Sequence, residues 1–90
     1  MEITYTGQHL EVTAAIKEHV EKRIVRLAKH ASDIISVHFS FHVENKKQIA
    51  KATVHIPGSE LFAQHSADDL YKSIDMMMDK LVTQLDKHKK

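Results

Sequence analysis

The sequence predicts an α+β domain of two layers, a four-stranded sheet with both helices on one face, in the order β-α-β-β-β-α. Three observations carry this. Four segments alternate apolar and polar residues, two longer ones repeat apolar residues every three to four positions, and 90 residues are enough for one core and too few for two. A composition of 42% hydrophobic and 28% charged residues, with two Gly and one Pro, excludes a disordered or fibrous chain. With no Cys there is neither a disulfide framework nor a thiolate metal site, so residues 1–90 are expected to form a single domain held by packing alone.

The first strand is MEITYT, in which Ile3 and Tyr5 alternate with Glu2, Thr4 and Thr6 before Gly7. Thr13 is placed to cap a helix over residues 14–30, its hydroxyl accepting from a free N–H of the first turn. Along that helix Ile16, Val20, Ile24 and Leu27 form an apolar stripe with Ala28 and Ala31 at its margin. IISVHFSFHV puts Val37, Phe39, Phe41 and Val43 on one side and Ser36, His38, Ser40 and His42 on the other, the period of a strand. ENKKQ is a polar turn, and IAKATVHIP then opposes Ala50, Ala52, Val54 and Ile56 to Lys51, Thr53 and His55, completing an antiparallel hairpin. Pro57-Gly58 turns the chain into ELFAQHS, the last strand of the meander. Ser66 and Asp69 have capping-box spacing, so the final helix is expected from Ala67, with Leu70, Ile74, Met77, Met78, Leu81 and Leu85 as its stripe and Met76 pointing away. The βαβ crossover makes the first strand parallel to its neighbour, and helices on one face leave the other face wet.

The 13 Lys and Arg nearly balance the 12 Asp and Glu, giving a formal net charge of +1, but the charges are segregated. In the first helix Lys17, Lys22, Arg23, Arg26 and Lys29 outnumber Glu18 and Glu21. At about 100° per residue, Lys22, Arg23, Arg26 and Lys29 fall with His19 and His30 on one flank from which both Glu are excluded. The final helix is acidic in its first half, at Asp68, Asp69, Asp75 and Asp79, and basic in its second, where Lys80, Gln84 and Lys87 share a flank and Lys89 follows. Helices lying side by side would bring the two flanks together in a cationic groove suited to phosphate backbone. Each stripe alone also reads as a solvated helix face; segregation on both helices of one small domain favours the polyanion. No aromatic residue interleaves these flanks, which argues for backbone and shape recognition of folded RNA over base stacking there.

The eight His do not form a metal site: His38 and His42 share a strand face about 13 Å apart, and no HxH or HExxH accompanies His55. No nucleophile motif or paired carboxylates stand out, and two Gly exclude GxGxxG, so neither an enzyme nor a cofactor is expected. No apolar run approaches the ~20 residues of a bilayer span, and MEITYTG is no signal peptide, which makes cytoplasmic placement the expectation.

The run TGQHLEVTAAIKEHVEKRIVRL and the closing DDLYKSIDMMMDKLVTQLDKHKK resemble the short-form ribosome hibernation promoting factors, of the family that includes ribosome-associated inhibitor A and sigma-54 modulation proteins. The likeness spans nearly the whole chain and is most specific at Thr6-Gly7, Glu11-Val12-Thr13, Asp69-Leu70-Tyr71, Ile74-Asp75 and Asp79-Lys80-Leu81. It implies a fold similar to double-stranded RNA-binding domains. It further implies binding to 16S rRNA of the small (30S) ribosomal subunit in the mRNA and tRNA channel, arrest of translation in stationary phase, and formation of inactive ribosome dimers together with the ribosome modulation factor. Neither a small-molecule substrate nor a membrane is implied. By position, Arg23 and Arg26 match basic sites of the family's first helix and Lys80 and Lys87 those of the last; the wheel adds Lys22 and Lys29. Thr83 stands where the family commonly has a basic residue, and Pro57-Gly58-Ser59 departs from its usual turn.

The sister inhibitor, which holds ribosomes as inactive monomers, has a longer tail, so with an end at Lys90 the dimer-promoting short form, without a second dimerisation domain, is the expectation. A generic double-stranded RNA-binding module would bind duplex RNA without ribosomes. An acid-base enzyme using His38 or His55 would lose activity, and not binding, on substitution of the His.

Overall fold

The structure, a computed structural model, describes residues 1–30 and 33–88, the side chains of His30 and His88 excepted. Its elements are β1 (Glu2–Gln8), α1 (Ala14–His30), β2 (Ser36–Glu44), β3 (Lys47–Ile56), β4 (Ser59–Ala67) and α2 (Leu70–His88), the expected order. The sheet runs β1-β2-β3-β4. β1 pairs parallel to β2, with Tyr5 opposite Phe39, and the other pairs are antiparallel, with Phe39 opposite Ala52 and Ala52 opposite Ala63.

That row of side chains explains how the helices sit. Ala50, Ala52 and Ala63 are buried and small, so the backbone of α2 comes within 8 Å of β3 and β4 between Cα atoms. Beneath α1 the sheet presents larger groups, with Tyr5 stacked on Phe39 at 5.7 Å and Phe39 on Phe41 at 6.4 Å. Among the described helices and strands the backbone of α1 makes that approach only to α2, and the space below it is filled by Ile16, Val20, Ile24 and Leu27. All six apolar residues expected on α2 are buried, joined by Val82 and by Ser73. The Ser73 hydroxyl donates to the Gln48 carbonyl at 2.7 Å and lies 3.2 Å from the Asp69 carbonyl, tying α2 to the start of β3. Ala28, expected at the edge of the α1 stripe, is exposed because the stripe turns beneath it; Ala31 lies outside the described residues.

Thr13 caps α1 as read, its Oγ1 accepting from the Ile16 N–H at 3.3 Å and its carbonyl from the Lys17 N–H at 3.1 Å. The start of α2 differs from expectation. Ser66 and Ala67 stay in β4, opposite Ile49 and Gln48, so the ladder to β3 takes residues that the capping-box pattern had given to the helix. The helix begins at Leu70, with the Asp69 carbonyl accepting from the Ser73 N–H at 3.1 Å. The first hairpin also turns more tightly, on Asn45 and Lys46 at φ 50° and 65°, the positive pair of a type I′ turn whose twist suits adjoining strands. At the second, Pro57 precedes Gly58 at φ 77°, which Gly adopts without strain. Gly7 is needed for another reason: a Cβ there would overlap the Leu10 carbonyl oxygen and lie 2.9 Å from Val12 Cγ2.

Candidate nucleic-acid interface

The helices lie side by side and parallel, as the rising order of their contacts requires. His19 Nε2 and Arg23 Nε each lie 2.8 Å from Asp75 Oδ1, and one turn further on Arg26 Nη1 donates to Asp79 Oδ1 at 3.1 Å. The His19 ring stands edge-on to Tyr71 with centroids 4.9 Å apart. The Arg23 hydrogen bond holds the Asp75 carboxyl below its ordinary value, burial opposes it, and the bond to His19 adds to the lowering. Reciprocally, the same bond holds the Arg23 guanidinium above its ordinary value.

This seam corrects the expected groove. The flank that α2 turns toward α1 is its acidic one, Asp75 and Asp79, and the flank with Lys80, Gln84 and Lys87 is on the other side, toward β4. Burial sets the rotation: with Ser73 and Met77 pressed on the sheet, Lys80 and Gln84 overhang the β4 edge. Lys80 Nζ donates to the Gln64 carbonyl at 2.8 Å and Gln84 Nε2 to the Phe62 carbonyl at 2.7 Å. Lys87, seven residues after Lys80, continues that flank and is exposed. Lys89 lies outside the described residues.

The cations therefore form two ridges with a charge-paired seam between them. On α1 the side chain of Lys22 is 70% exposed, with only a 3.9 Å approach to Glu18, and Lys29 has no acidic partner among the described residues. Arg26 is 61% exposed beside Asp79, and the more enclosed Arg23 serves chiefly as a strut between helices. A cleft of about 250 Å³ follows the seam, lined by Lys22, Arg23, Arg26, Asp75 and Asp79 with Met78 and Val82 as its floor. Sequence reasoning missed the role of Asp75 and Asp79 as arginine partners. Their spacing of four beside the apolar stripe was the available signal. Thr83 uses its hydroxyl on the Asp79 carbonyl at 3.0 Å.

On the sheet's open face His38 is held between the Thr4 and Thr6 hydroxyls at 2.6 and 3.2 Å, and His55 lies 3.2 Å from Glu60. No cluster of His or carboxylates able to hold a metal occurs among the described residues. No helix among them is long and apolar enough to cross a membrane.

A four-stranded sheet that displays two parallel, charge-bearing helices on one side defines a class of small α+β domains. The chain belongs to the family described as Sigma 54 modulation protein / S30EA ribosomal protein, which it matches over residues 3–90. It is 42% identical to a ribosome hibernation promoting factor of Azotobacter vinelandii, over 99% of this chain and 83% of that one. Its fold superposes on a ribosomal subunit interface protein from Coxiella burnetii with a TM-score of 0.93 and 40% identity, covering 98% of this chain and 97% of the other. The N-terminal domain of Thermus thermophilus Protein Y gives a TM-score of 0.89 at 32% identity, covering 99% and 100%. The family acts by binding and the chain is not an enzyme, which answers the reading of His38 and His55 as acid-base groups.

Proposed function

We propose that this chain is a ribosome hibernation factor that binds 16S rRNA of the small ribosomal subunit in the channel where mRNA and tRNA would lie, and so blocks translation in stationary phase. The observation that carries the proposal is the α1 ridge, where Lys22, Arg26 and Lys29 stand exposed on one side of a helix. Cations along a helix match successive backbone phosphates and release their counterions, and they need no particular base. Asp79 engages one Nη of Arg26, and a guanidinium has further N–H donors to offer a phosphate. On the other side of the seam Lys80, Gln84 and Lys87 form the second ridge, with Lys89 continuing the sequence. A relative named for ribosome hibernation and another named for the subunit interface support a place between the ribosomal subunits. The chain then works in the cytoplasm and, with the ribosome modulation factor, favours inactive ribosome dimers.

Sedimentation of stationary-phase ribosomes through sucrose, with and without the protein, tests this. Co-sedimentation with a dimer peak is the expected result. Monomers alone would mark an inhibitor of the monomer-holding kind, and absence of the protein from all ribosomal fractions would overturn the reading. Affinity for the small subunit should also fall by several orders of magnitude between 50 and 200 mM salt if about six or more phosphates are contacted. A flat salt dependence would indicate an apolar interface.

A further inference from the structure

The face of the sheet turned away from the helices carries a feature that the helix ridges do not account for. Along β4, Ala63 is buried toward the helices, so Phe62 and Gln64 point the other way, and Phe62 is 50% exposed. Opposite these residues on β3 stand Thr53 and Lys51, and beyond them on β2 are His38 and Ser40. Lys51 is diagonal to Phe62, within reach of a long side chain, and has no acidic partner among the described residues. Beside Lys51 a depression of about 480 Å³ opens toward the β4 edge, bordered by Lys51, Lys80, His42, His65 and Gln64, with Glu44 as the acidic residue on its rim.

We infer that this outer face is a binding surface for single-stranded RNA, with a base stacked on Phe62 and the adjoining phosphates held by Lys51 and Lys80. The arrangement has the three elements such recognition needs. An aromatic ring lies open on a four-stranded sheet, the geometry on which unpaired bases stack. Thr53 stands directly across from Phe62, Gln64 two residues along the same strand and Ser40 beyond Lys51 on β2, hydroxyl and amide groups of the kind that hydrogen-bond base edges. Cations border a depression of nucleotide size, and Lys80 spends one N–H on the Gln64 carbonyl, which leaves two for phosphate. A folded duplex would not use the ring, since its bases are already stacked. The surface lies across the sheet from the α1 ridge, shares Lys80 with the α2 ridge, and does not depend on the ribosomal reading.

Fluorescence anisotropy of a labelled hexa-adenylate titrated with the full chain tests the inference. Phe62→Ala is expected to weaken binding about tenfold, as loss of one stacked base does. Lys51→Glu is expected to weaken it about as much and to flatten the salt dependence. Both positions are on the wet face, and circular dichroism should show the fold retained. A helix-side variant, Lys22→Glu with Lys29→Glu, should leave oligonucleotide affinity within about twofold while impairing ribosome association. Failure of the wild-type chain to bind the oligonucleotide, binding that survives both sheet substitutions, or binding lost only with the helix-side variant would each overturn the inference. Co-sedimentation with ribosomes in the absence of oligonucleotide binding would sink this surface alone and leave the proposed function standing.

Discussion

Helices α1 and α2 lie side by side on one sheet, yet they answer to different neighbours. α2 is pressed on the alanines of β3 and β4 and is tied by Ser73 to the start of β3, so its rotation about its own axis is set by the sheet. α1 stands above the bulkier Tyr5, Phe39 and Phe41 and touches the rest of the backbone chiefly through α2, across the bonds from Arg23 and Arg26. The closely packed helix thus spends its acidic flank on holding the other, which is left to display cations. A charge stripe on a helix becomes a surface only after packing has decided which flank is used internally.

Substitutions can break this contrast at several strengths. Leu81→Ala, in the fully buried stripe of α2, should destabilise the fold by about 2–5 kcal/mol in chemical denaturation and release both helices together. If α1 melted separately, the two helices would not form one core. Reversing Lys22 and Lys29 to Glu on the open ridge should reduce ribosome affinity about a hundredfold at physiological salt with stability within about 0.5 kcal/mol of wild type. Equal loss of binding and stability would place these lysines in the fold. Ser73→Ala should cost about 1–2 kcal/mol, because the Gln48 carbonyl loses its donor, and amide exchange should rise where β3 begins.

The smallest effect belongs to Asp75. Its folded pKa is depressed, so the stability it contributes is present above the unfolded value of about 3.9 and is lost as pH falls through the lower folded value. Asp75→Asn should therefore lower stability at neutral pH by that small contribution and have less effect as pH falls below about 4, so that the acid limb of a stability-against-pH curve becomes flatter. At 41% side-chain exposure the loss should be smaller than that of Ser73→Ala, and an equal or larger one would show that the seam holds the helices together more than the core does.

Element order and core membership were legible because alternation and the helical repeat are local properties: Val37, Phe39, Phe41, Ala50, Ala52 and Val54 are buried as their period required. The start of α2 was not, because the choice between capping a helix and extending β4 at Ser66 depends on Ile49, seventeen residues away, being available to pair. The cationic residues of α1 were legible by type and angle. Their relation to Lys80 was not, since a helical wheel orders the flanks of one helix without saying which neighbour each flank meets. Asp75 and Asp79 read as an ordinary acidic face until the parallel packing set Arg23 and Arg26 opposite them.

The overhang of α2 at β4 also bears on self-association. A sheet grows by offering unpaired backbone groups at its rim, and indefinite growth requires two receptive rims per molecule. β1 and β4 are the two outer strands here, and on β4 the carbonyls of Phe62 and Gln64 are already occupied by Gln84 and Lys80. Strand addition is therefore obstructed on one side. Two molecules joined through β1 would form a closed pair, not a propagating fibre, so a dense pool of the protein has a geometric safeguard against templated aggregation.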